Sequence, residues 1–202
     1  MFRIKGFYFI TDSGLSRKGI FNDVKAALKA GVKIVQYREK NKSSHQMYRE
    51  ALKLRAICKN VTFIINDRLD IALAVGADGV HLGQSDLPYK TVRKIFGPDK
   101  IIGVTVHSLK EALIAQKEGA DYLGVSPIFS TRTKDDAGIP GGIKLIQEVR
   151  PRVRIPIVAI GGVNLKNAPL VANAGADSLC AISAVLGSKN TGKEIRKFNN
   201  LF

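Results

Sequence analysis

Short runs of branched apolar residues alternate along the chain with longer segments in which apolar residues recur every three or four positions. The short runs predict β-strands, and the longer segments predict amphipathic helices. The predicted strands cover residues 7–11, 32–38, 62–65, 79–82, 101–105, 122–125, 157–160 and 178–181. The predicted helices cover residues 20–30, 44–59, 68–75, 88–96, 109–117, 143–149, 165–173 and a final segment that ends at residue 198. Continuous apolar strands separated by helices are typical of a parallel sheet that is covered on both faces.

Eight strand–helix units in 202 residues fit a compact α/β fold, the (β/α)8 TIM barrel, with residues 1–202 forming one domain. The alternative is a doubly wound open sheet, which needs fewer strands and usually a glycine-rich turn after the first one. Here that turn reads Thr11-Asp12-Ser13-Gly14-Leu15, so the barrel is favoured. The longest break between predicted elements, residues 126–142, has a length that is usually functional in a compact domain.

A Gly-Ala-Asp motif precedes three predicted strands, at residues 76–78, 119–121 and 175–177, and a weaker copy, Gly-Val-Lys, occupies 31–33. In each copy the glycine directly follows a predicted helix, where the backbone often takes the left-handed conformation that glycine adopts most easily. The copies therefore predict helix ends that lead directly into strands.

The chain carries a formal net charge of +15, from 32 Lys and Arg against 17 Asp and Glu. Its basic residues are spread along the sequence, without the aromatic and basic motifs or zinc-finger spacing of nucleic-acid-binding domains. We therefore expect no nucleic-acid partner and a basic surface that favours anionic substrates. No apolar run reaches membrane-spanning length, so no membrane partner is expected. Cys58 and Cys180 lack metal-type spacing, which predicts reduced, buried thiols in a cytoplasmic protein.

Polar residues follow nearly every predicted strand, whereas the opposite strand ends carry only the Gly-Ala-Asp repeat. In a barrel, the carboxyl ends of all strands surround one opening, where such folds place their chemistry. The asymmetry between the two ends predicts an enzyme. The residues expected at the opening include Gln36, Arg38, Lys40, Asn66, Asp67, Gln84, Asp86, Thr105, His107, Thr131, Arg132, Thr133, Lys134, Gly161, Gly162, Ile182 and Ser183.

Asp67 and Asp86 follow two consecutive predicted strands, and Asn66 stands beside the first of them. Strand ends of a parallel βαβ unit meet at one edge of the sheet, so the two carboxylates are expected to converge. Carboxylate and amide oxygens suit a hard cation, and the sequence therefore predicts an Mg²⁺ site at Asp67 and Asp86. The alternatives are that Asp67 only caps the third helix and that Asp86 only starts the turn into Pro88.

Groups suited to phosphate binding surround the same opening. Arg38, Lys40 and Lys134 supply positive charge, and Thr131 and Thr133 supply hydroxyl groups. The expected Mg²⁺ would neutralise further negative charge beside them.

Two further turns predict a second anion site. The Gly161-Gly162 turn and the Ile182-Ser183 turn before the final helix match the phosphate site that barrels form from the loops after strands 7 and 8. Two anion sites predict two phosphorylated substrates, and the one that meets the metal is expected to be a diphosphate. The alternatives are a solvated loop at Arg38-Glu39-Lys40 and a plain tight turn at the double glycine.

Four motifs, in this order, resemble those of the thiamine phosphate synthase family: Gln36-Tyr37-Arg38-Glu39-Lys40, Ile65-Asn66-Asp67-Arg68, His81-Leu82-Gly83-Gln84-Ser85-Asp86 and Thr131-Arg132-Thr133-Lys134. The resemblance runs from residues 8–12 to residues 181–184. That family is a barrel that joins a hydroxymethylpyrimidine diphosphate to a thiazole phosphate, forming thiamine phosphate and pyrophosphate. The resemblance implies an Mg²⁺-dependent transferase of thiamine biosynthesis whose partners are these two small-molecule substrates.

The same resemblance implies a role for each matching residue. Asp67 and Asp86 would hold Mg²⁺. The residues implied for the pyrimidine diphosphate are Gln36, Tyr37, Arg38, Glu39, Lys40, Asn66, Thr105 and Lys134. The residues implied for the thiazole phosphate are Thr131, Arg132, Thr133, Gly162, Ile182 and Ser183. The implied mechanism is dissociative and needs no side-chain nucleophile, and its catalytic residues would be Arg38, Lys40, Thr105 and Lys134.

Two other functions stay open. The related thiazole tautomerase is an isomerase on the same barrel, but its members generally lack the full diphosphate set and carry a histidine where this chain has Pro127. A non-catalytic barrel that binds phosphate-bearing ligands or nucleic acid through its basic surface would have no reason to keep both Asp67 and Asp86.

Overall fold

The computed structural model describes residues 3–131, 133 and 138–202. Parallel strands in these ranges pair in sequence order and close into a barrel, with β8 pairing back onto β1. The strands are β1 (Gly6–Ile10), β2 (Ile34–Tyr37), β3 (Thr62–Asn66), β4 (Gly79–Leu82), β5 (Ile101–Val106), β6 (Tyr122–Val125), β7 (Ile157–Ala159) and β8 (Ser178–Leu179). The predicted TIM barrel is confirmed, and the alternative of an open doubly wound sheet is wrong.

Helices alternate with the strands, and a short 3-10 turn, Arg150–Arg152, follows the sixth of them. The helices are α1 (Ile20–Lys29), α2 (Ser44–Ile57), α3 (Leu69–Ala74), α4 (Tyr89–Phe96), α5 (Leu109–Lys117), α6 (Gly142–Val149), α7 (Ala168–Asn173), α8 (Ile182–Leu186) and α9 (Thr191–Asn199). The final segment, predicted as one helix, is divided into α8 and α9. A new helix, α9, starts after Asn190, because the Asn190 side chain accepts a hydrogen bond from the Lys193 N–H at 2.9 Å and so caps it.

Side chains of the strands alternate between the barrel interior and the surrounding layer of helices. On β1, Tyr8 and Ile10 belong to the interior cluster, whereas Phe7 and Phe9 belong to the larger core under the helices. The interior cluster also holds Tyr122 from β6. A few large side chains thus fill the interior below the polar opening. Within the ranges that the structure describes, no helix combines the length and the apolar character that crossing a membrane requires.

The repeated glycines lie where the sequence predicts. Gly31, Gly76, Gly119 and Gly175 each follow a helix end, with φ of 89°, 61°, 91° and 104°. These angles fall in the left-handed region, which a Cβ atom disfavours. The predicted helix ends that lead directly into strands are confirmed at all four copies.

The aspartate of the same repeat has a structural role at the amino ends of the strands. Each carboxylate accepts a hydrogen bond from a backbone N–H at the start of the preceding strand. It also pairs with an arginine of the helical segment that lies before that strand, and all these distances are 2.6 to 2.9 Å. The three sets are Asp78 with Phe63 N–H and Arg55, Asp121 with Ile102 N–H and Arg93, and Asp177 with Ile157 N–H and Arg150. We call these contacts the basal clamp.

The first copy of the repeat has Lys33 where the others have aspartate, and a residue from the other end of the chain takes its place. The Asn199 side chain of α9 accepts a hydrogen bond from the Phe7 N–H at 2.9 Å and donates one to the Ala30 carbonyl at 3.0 Å. Asn199 therefore completes the basal clamp at β1.

Removal of one clamp carboxylate is expected to destabilise the barrel. Asp121→Ala would leave the N–H of the buried Ile102 without its acceptor, at a cost of about 1–3 kcal/mol in the free energy of unfolding. Urea denaturation of Asp121→Ala against wild type measures this loss. The control is Asp99→Ala in the exposed loop before β5, which is expected to change the free energy by less than about 0.5 kcal/mol. Equal unfolding midpoints for both variants would contradict the stabilising role of the clamp.

The cysteines are buried and free, as predicted. Burial raises the pKa of the Cys58 thiol to about 12 and also raises that of Cys180. Both thiols therefore stay protonated near neutral pH and lack the thiolate that nucleophilic catalysis requires.

Candidate active site

The carboxyl ends of the strands surround an opening of about 790 Å³, a volume that includes space open to solvent, and we call it the mouth cavity. The predicted site residues that line it are Gln36, Arg38, Lys40, Asn66, Asp67, Thr105, Thr131, Thr133 and Ile182. A second space of about 250 Å³, the side cavity, is lined by Thr131, Thr133, Gly162, Ile182 and Ser183 among others. Because the two cavities share Thr131, Thr133 and Ile182, the opening of the barrel has two adjoining compartments.

The Asp67 side chain lines the mouth cavity, whereas Asp86 is not among the lining residues but lies close enough to Asp67 for the two carboxylates to interact. Burial and the Asp67 carboxylate raise the pKa of Asp86, and these effects outweigh the opposing Gly83 N–H bond and the Lys40 charge. The Gly83 bond is 2.6 Å long. The Lys40 Nζ lies 2.6 Å from Asp67 Oδ2. The structure thus brings two carboxylates and one ammonium group together near adjacent strand ends, where the sequence predicted the two carboxylates to converge.

The backbone at Asp67 explains why this side chain turns into the opening. Its φ is +61°, a left-handed conformation that aspartate tolerates better than most residues, and its N–H donates to the His81 carbonyl at 2.8 Å. The residue that caps α3 is Arg68, which makes no side-chain capping bond. The alternative that Asp67 serves as the helix cap is therefore wrong.

The donor set at Asp67 and Asp86 fits Mg²⁺. Two neighbouring carboxylates repel each other, and the single Lys40 ammonium offsets only part of their charge. Among residues 3–131, 133 and 138–202, no group of three or more His, Cys, Asp or Glu could enclose a metal ion. Mg²⁺ typically uses one or two carboxylates and completes its shell with water and substrate phosphate, which matches such an open pair.

Arg38 is held at the opening by residues from the β1–α1 loop. Its guanidinium lies 2.8 Å from Asp12 Oδ2, and its N–H donates to the Thr11 hydroxyl at 3.0 Å. The side chains of Arg38 and Asp12 are only 15% and 13% exposed, so the ion pair is well shielded from solvent. Asp12 and Thr11 thereby fix the direction of a cationic group that lines the mouth cavity.

Two residues of the same predicted set turn away from the opening. Tyr37 is fully buried under α2, and its hydroxyl donates to Glu50 Oε2 at 2.8 Å. Glu39 lies in the loop behind the opening, where its carboxylate accepts backbone hydrogen bonds from Lys40 and Asn41. Neither residue is among those that line the mouth cavity. The structure therefore places both side chains beside the predicted substrate site and not in it.

A chain of hydrogen bonds forms the floor of the mouth cavity. The Gln36 amide donates to the Tyr8 hydroxyl at 3.0 Å, and the hydroxyls of Tyr8 and Tyr122 are 2.7 Å apart. His81 links Tyr122, 2.9 Å from its Nδ1, to the Thr105 hydroxyl, 2.8 Å from its Nε2. Burial raises the pKa of both tyrosines, so both remain neutral. The floor is polar, and its side chains are held by several hydrogen bonds.

The wall between the two cavities depends on the double glycine. Gly161 and Gly162 have φ of 94° and 64°. A Cβ on Gly161 would lie 2.7 Å from Pro127 Cβ, and a Cβ on Gly162 would lie 2.6 Å from Phe129 Cβ. The Asn167 amide donates to the Gly162 carbonyl at 3.0 Å. The glycines therefore allow the loops after β6 and β7 to approach closely. The predicted turn at residues 182–183 is instead the first turn of the short helix α8.

The remaining predicted residues divide into two groups. Arg132 and Lys134 lie outside the residues that the structure describes. Gln84 and His107 both bind backbone: the Gln84 amide donates to the Thr105 carbonyl at 2.6 Å, and the His107 Nδ1 contacts the Ser126 carbonyl.

Several residues around the opening were not singled out from the sequence as site residues. Tyr8, His81 and Tyr122 line the mouth cavity, although their positions within predicted strands are those of core residues. Asp12 was also missed, although it follows the first strand directly. A polar tyrosine at an interior-facing position of a barrel strand is the signal that could have identified Tyr8 and Tyr122.

Comparison with known proteins gives a consistent family. The family model described as thiamine monophosphate synthase matches residues 7–185. The thiamine-phosphate synthase of Methanosarcina mazei is 55% identical over 193 residues, which cover 95% of this chain and 80% of that protein. The thiamine-phosphate synthase of Chloroflexus aurantiacus is 48% identical, over 96% of this chain and 91% of that protein.

A solved structure agrees with the sequence relatives. The thiamine phosphate pyrophosphorylase of Pyrococcus furiosus superposes with a TM-score of 0.90 at 39% identity, over 97% of this chain and 94% of that one. The matching fold, the extent of the family model and the identity of the relatives lead to one conclusion: this chain belongs to the thiamine monophosphate synthase family and is an enzyme of the transferase class.

Proposed function

We propose that the chain joins 4-amino-2-methyl-5-hydroxymethylpyrimidine diphosphate to 4-methyl-5-hydroxyethylthiazole phosphate and releases pyrophosphate. The C–O bond between the pyrimidine methylene and the diphosphate breaks, and its electron pair leaves with pyrophosphate. The lone pair of the thiazole nitrogen then forms the new C–N bond, which gives thiamine phosphate. The function rests on one observation above all, the two adjoining compartments with different chemistry at the barrel opening.

The mouth cavity suits the diphosphate. Arg38 and Lys40 supply two positive charges from one loop, and Asp12 holds the guanidinium before any ligand arrives. Charges that are fixed in advance stabilise a departing polyanion without further reorganisation. Lys134 follows Thr133 in sequence, and we assign it the same role from the family motif. In this proposal the protein lowers the barrier mainly by stabilising the leaving group.

The floor of the mouth cavity suits the pyrimidine ring. Gln36, Asn66 and Thr105 offer amide and hydroxyl groups, and the Tyr8 and Tyr122 hydroxyls lie beneath them. A hydrogen-bonded surface of this kind can bind a planar heterocycle and orient its exocyclic amino group. Because the ring must delocalise the charge of its methylene cation, a fixed ring orientation assists the reaction.

The side cavity suits the phosphate of the thiazole. Thr131 and Thr133, which carry hydroxyl groups, line it together with Gly162 and Ser183. Because the two compartments adjoin, the thiazole nitrogen would reach the pyrimidine methylene while the phosphate stays bound. Arg132 joins this set by its position in the family motif.

Mg²⁺ fits the Asp67–Asp86 pair, and when bound it would neutralise negative charge on the diphosphate. The residues of the chain have their own roles at this edge. Asp67 keeps the Lys40 ammonium at the rim, and the Gly83 N–H fixes the Asp86 carboxylate beside it.

Purified protein is expected to release pyrophosphate only when both substrates and Mg²⁺ are present. A chelator is expected to lower the rate by about 100-fold or more, since charge neutralisation by a metal contributes several kcal/mol to such steps. The measurement is pyrophosphate release, with thiamine phosphate identified as the product and each substrate omitted in turn. A folded protein that releases no pyrophosphate would contradict the synthase and favour the tautomerase, which isomerises the thiazole alone.

A further inference from the structure

The loop between β2 and α2 carries two cationic residues of the mouth cavity, Arg38 and Lys40. Its backbone is held at both ends. The Thr11 hydroxyl accepts a hydrogen bond from the Arg38 N–H at 3.0 Å. Behind the opening, Glu39 Oε1 accepts hydrogen bonds from the N–H groups of Lys40 at 2.8 Å and Asn41 at 2.9 Å. One carboxylate oxygen thus holds two consecutive peptide groups.

The Glu39 carboxylate is buried, with its side chain only 1% exposed. Its other oxygen, Oε2, lies 3.2 Å from the Lys42 Nζ, which also lies 2.7 Å from Glu50 Oε1. Burial alone would raise the pKa of Glu39, but the bond from the Asn41 N–H and the nearby Ser13 and Lys42 side chains lower it below its ordinary value. The group is therefore a carboxylate at neutral pH.

A buried carboxylate is costly unless it makes strong hydrogen bonds and an ion pair, and Glu39 makes both. Arg38 and Lys40 line the mouth cavity, whereas the Glu39 side chain between them is buried behind the loop. A side chain in this position can set where its two neighbours point.

We propose that Glu39 is a positioning residue, which binds the backbone of Lys40 and Asn41 from behind and so fixes where Arg38 and Lys40 present their charge. That these charges bind a diphosphate rests on the proposed function, whereas the hydrogen bonds by which Glu39 holds the loop do not depend on it. This role differs from the substrate contact that the family motif implied for Glu39.

Glu39→Ala removes the acceptor of both N–H groups, and its effects are expected at two levels. Hydrogen exchange of the Lys40 and Asn41 amides should become at least about tenfold faster, because each amide loses its protein partner. The affinity for inorganic pyrophosphate with Mg²⁺ and the kcat/KM for the pyrimidine diphosphate should fall about 10- to 100-fold, since displaced catalytic groups lose efficiency steeply. The KM for the thiazole phosphate should stay unchanged, which a general loss of structure would not produce.

Two conservative variants separate geometry from charge. Glu39→Gln keeps an oxygen at the same reach, so it should retain slow amide exchange and a pyrophosphate affinity within about fivefold of wild type. Glu39→Asp keeps the charge but is shorter by one methylene, so it should lose most of the amide protection. If Glu39→Ala fails to fold, the contrast between Gln and Asp decides the same question.

Glu50→Gln is the matched control. It removes a carboxylate from the same Lys42 but has no bond to the loop backbone, so the amide exchange of Lys40 and Asn41 should match wild type. Unchanged amide exchange in Glu39→Ala, or faster exchange with unchanged pyrophosphate affinity and kcat/KM, would overturn the positioning role. A wild-type protein that binds no pyrophosphate would overturn the proposed function instead, and amide exchange alone would then decide the role of Glu39.

Discussion

Replacing Asp67 by alanine is expected to lower kcat by about 100- to 1,000-fold, the range seen when one preorganised electrostatic group is lost from an active site. The substitution removes half of the carboxylate pair that fits Mg²⁺ and leaves the Lys40 ammonium without the partner that lies 2.6 Å away. Asp67 also has φ of +61°, a backbone conformation that alanine tolerates less well than aspartate. Pyrophosphate release at saturating substrate and Mg²⁺ measures the effect.

The matched control for this prediction is Asp70→Ala. Asp70 lies in the adjacent helix α3, pairs with Arg68 and is 61% exposed, so its loss should leave kcat within about twofold of wild type. Circular dichroism and thermal denaturation establish that both variants fold. Lys134→Ala is expected from the family motif to abolish turnover as well. Full activity in Asp67→Ala would remove the basis for the proposed metal site.

Gly103→Ala is expected to have the largest effect on stability, a loss of about 3 kcal/mol or more in the free energy of unfolding. Gly103 on β5 lies opposite Tyr122 on β6, and a Cβ at this position would lie 2.0 Å from Tyr122 Cζ and 2.4 Å from its hydroxyl. The ring cannot simply move, because it is fully buried and its hydroxyl is bonded to Tyr8 and His81. The added methyl group must therefore distort the floor of the mouth cavity.

Chemical denaturation measures the stability of this variant, and the KM for the pyrimidine diphosphate reports the floor itself. Gly14→Ala serves as the control, because a Cβ there would approach only the Asp12 side chain, at an ordinary contact distance of 3.4 Å. It is expected to change the free energy of unfolding by less than about 0.5 kcal/mol. Wild-type stability and KM in Gly103→Ala would mean that Tyr122 has more freedom than its contacts indicate.

The barrel could be predicted because its signals are local and repeated. Each Gly-Ala-Asp copy marks a helix end and the start of a strand, and the structure has these features at all three places. The division of the last segment into α8 and α9 was harder to predict. It depends on the Asn190 side chain, which accepts a backbone hydrogen bond at the start of α9. The sequence alone does not show which polar residue of this segment forms such a cap.

The candidate site was predictable where residues lie at the carboxyl ends of strands, as at Asp67 and Thr105. It was less predictable where a motif is contiguous. The run from Gln36 to Lys40 was taken as one binding segment, but side chains alternate along it, and Tyr37 and Glu39 face away from the mouth cavity. Tyr8 and Tyr122 escaped detection for the opposite reason. Within a strand, a tyrosine that lines a cavity has the same pattern as one that packs in a core.

The Asn199 contact also bears on the order in which the barrel folds. β1 and β8 share only the register pairs Gly6↔Ser178 and Phe7↔Leu179, and the Ser178 hydroxyl bonds the Gly6 carbonyl across 172 positions of sequence. Closing a loop of this length costs more chain entropy than pairing consecutive strands. The Phe7 N–H gains its acceptor only when α9 docks. We therefore expect the βα units to assemble through nearby contacts first, with the join between first and last strands as the late step of folding.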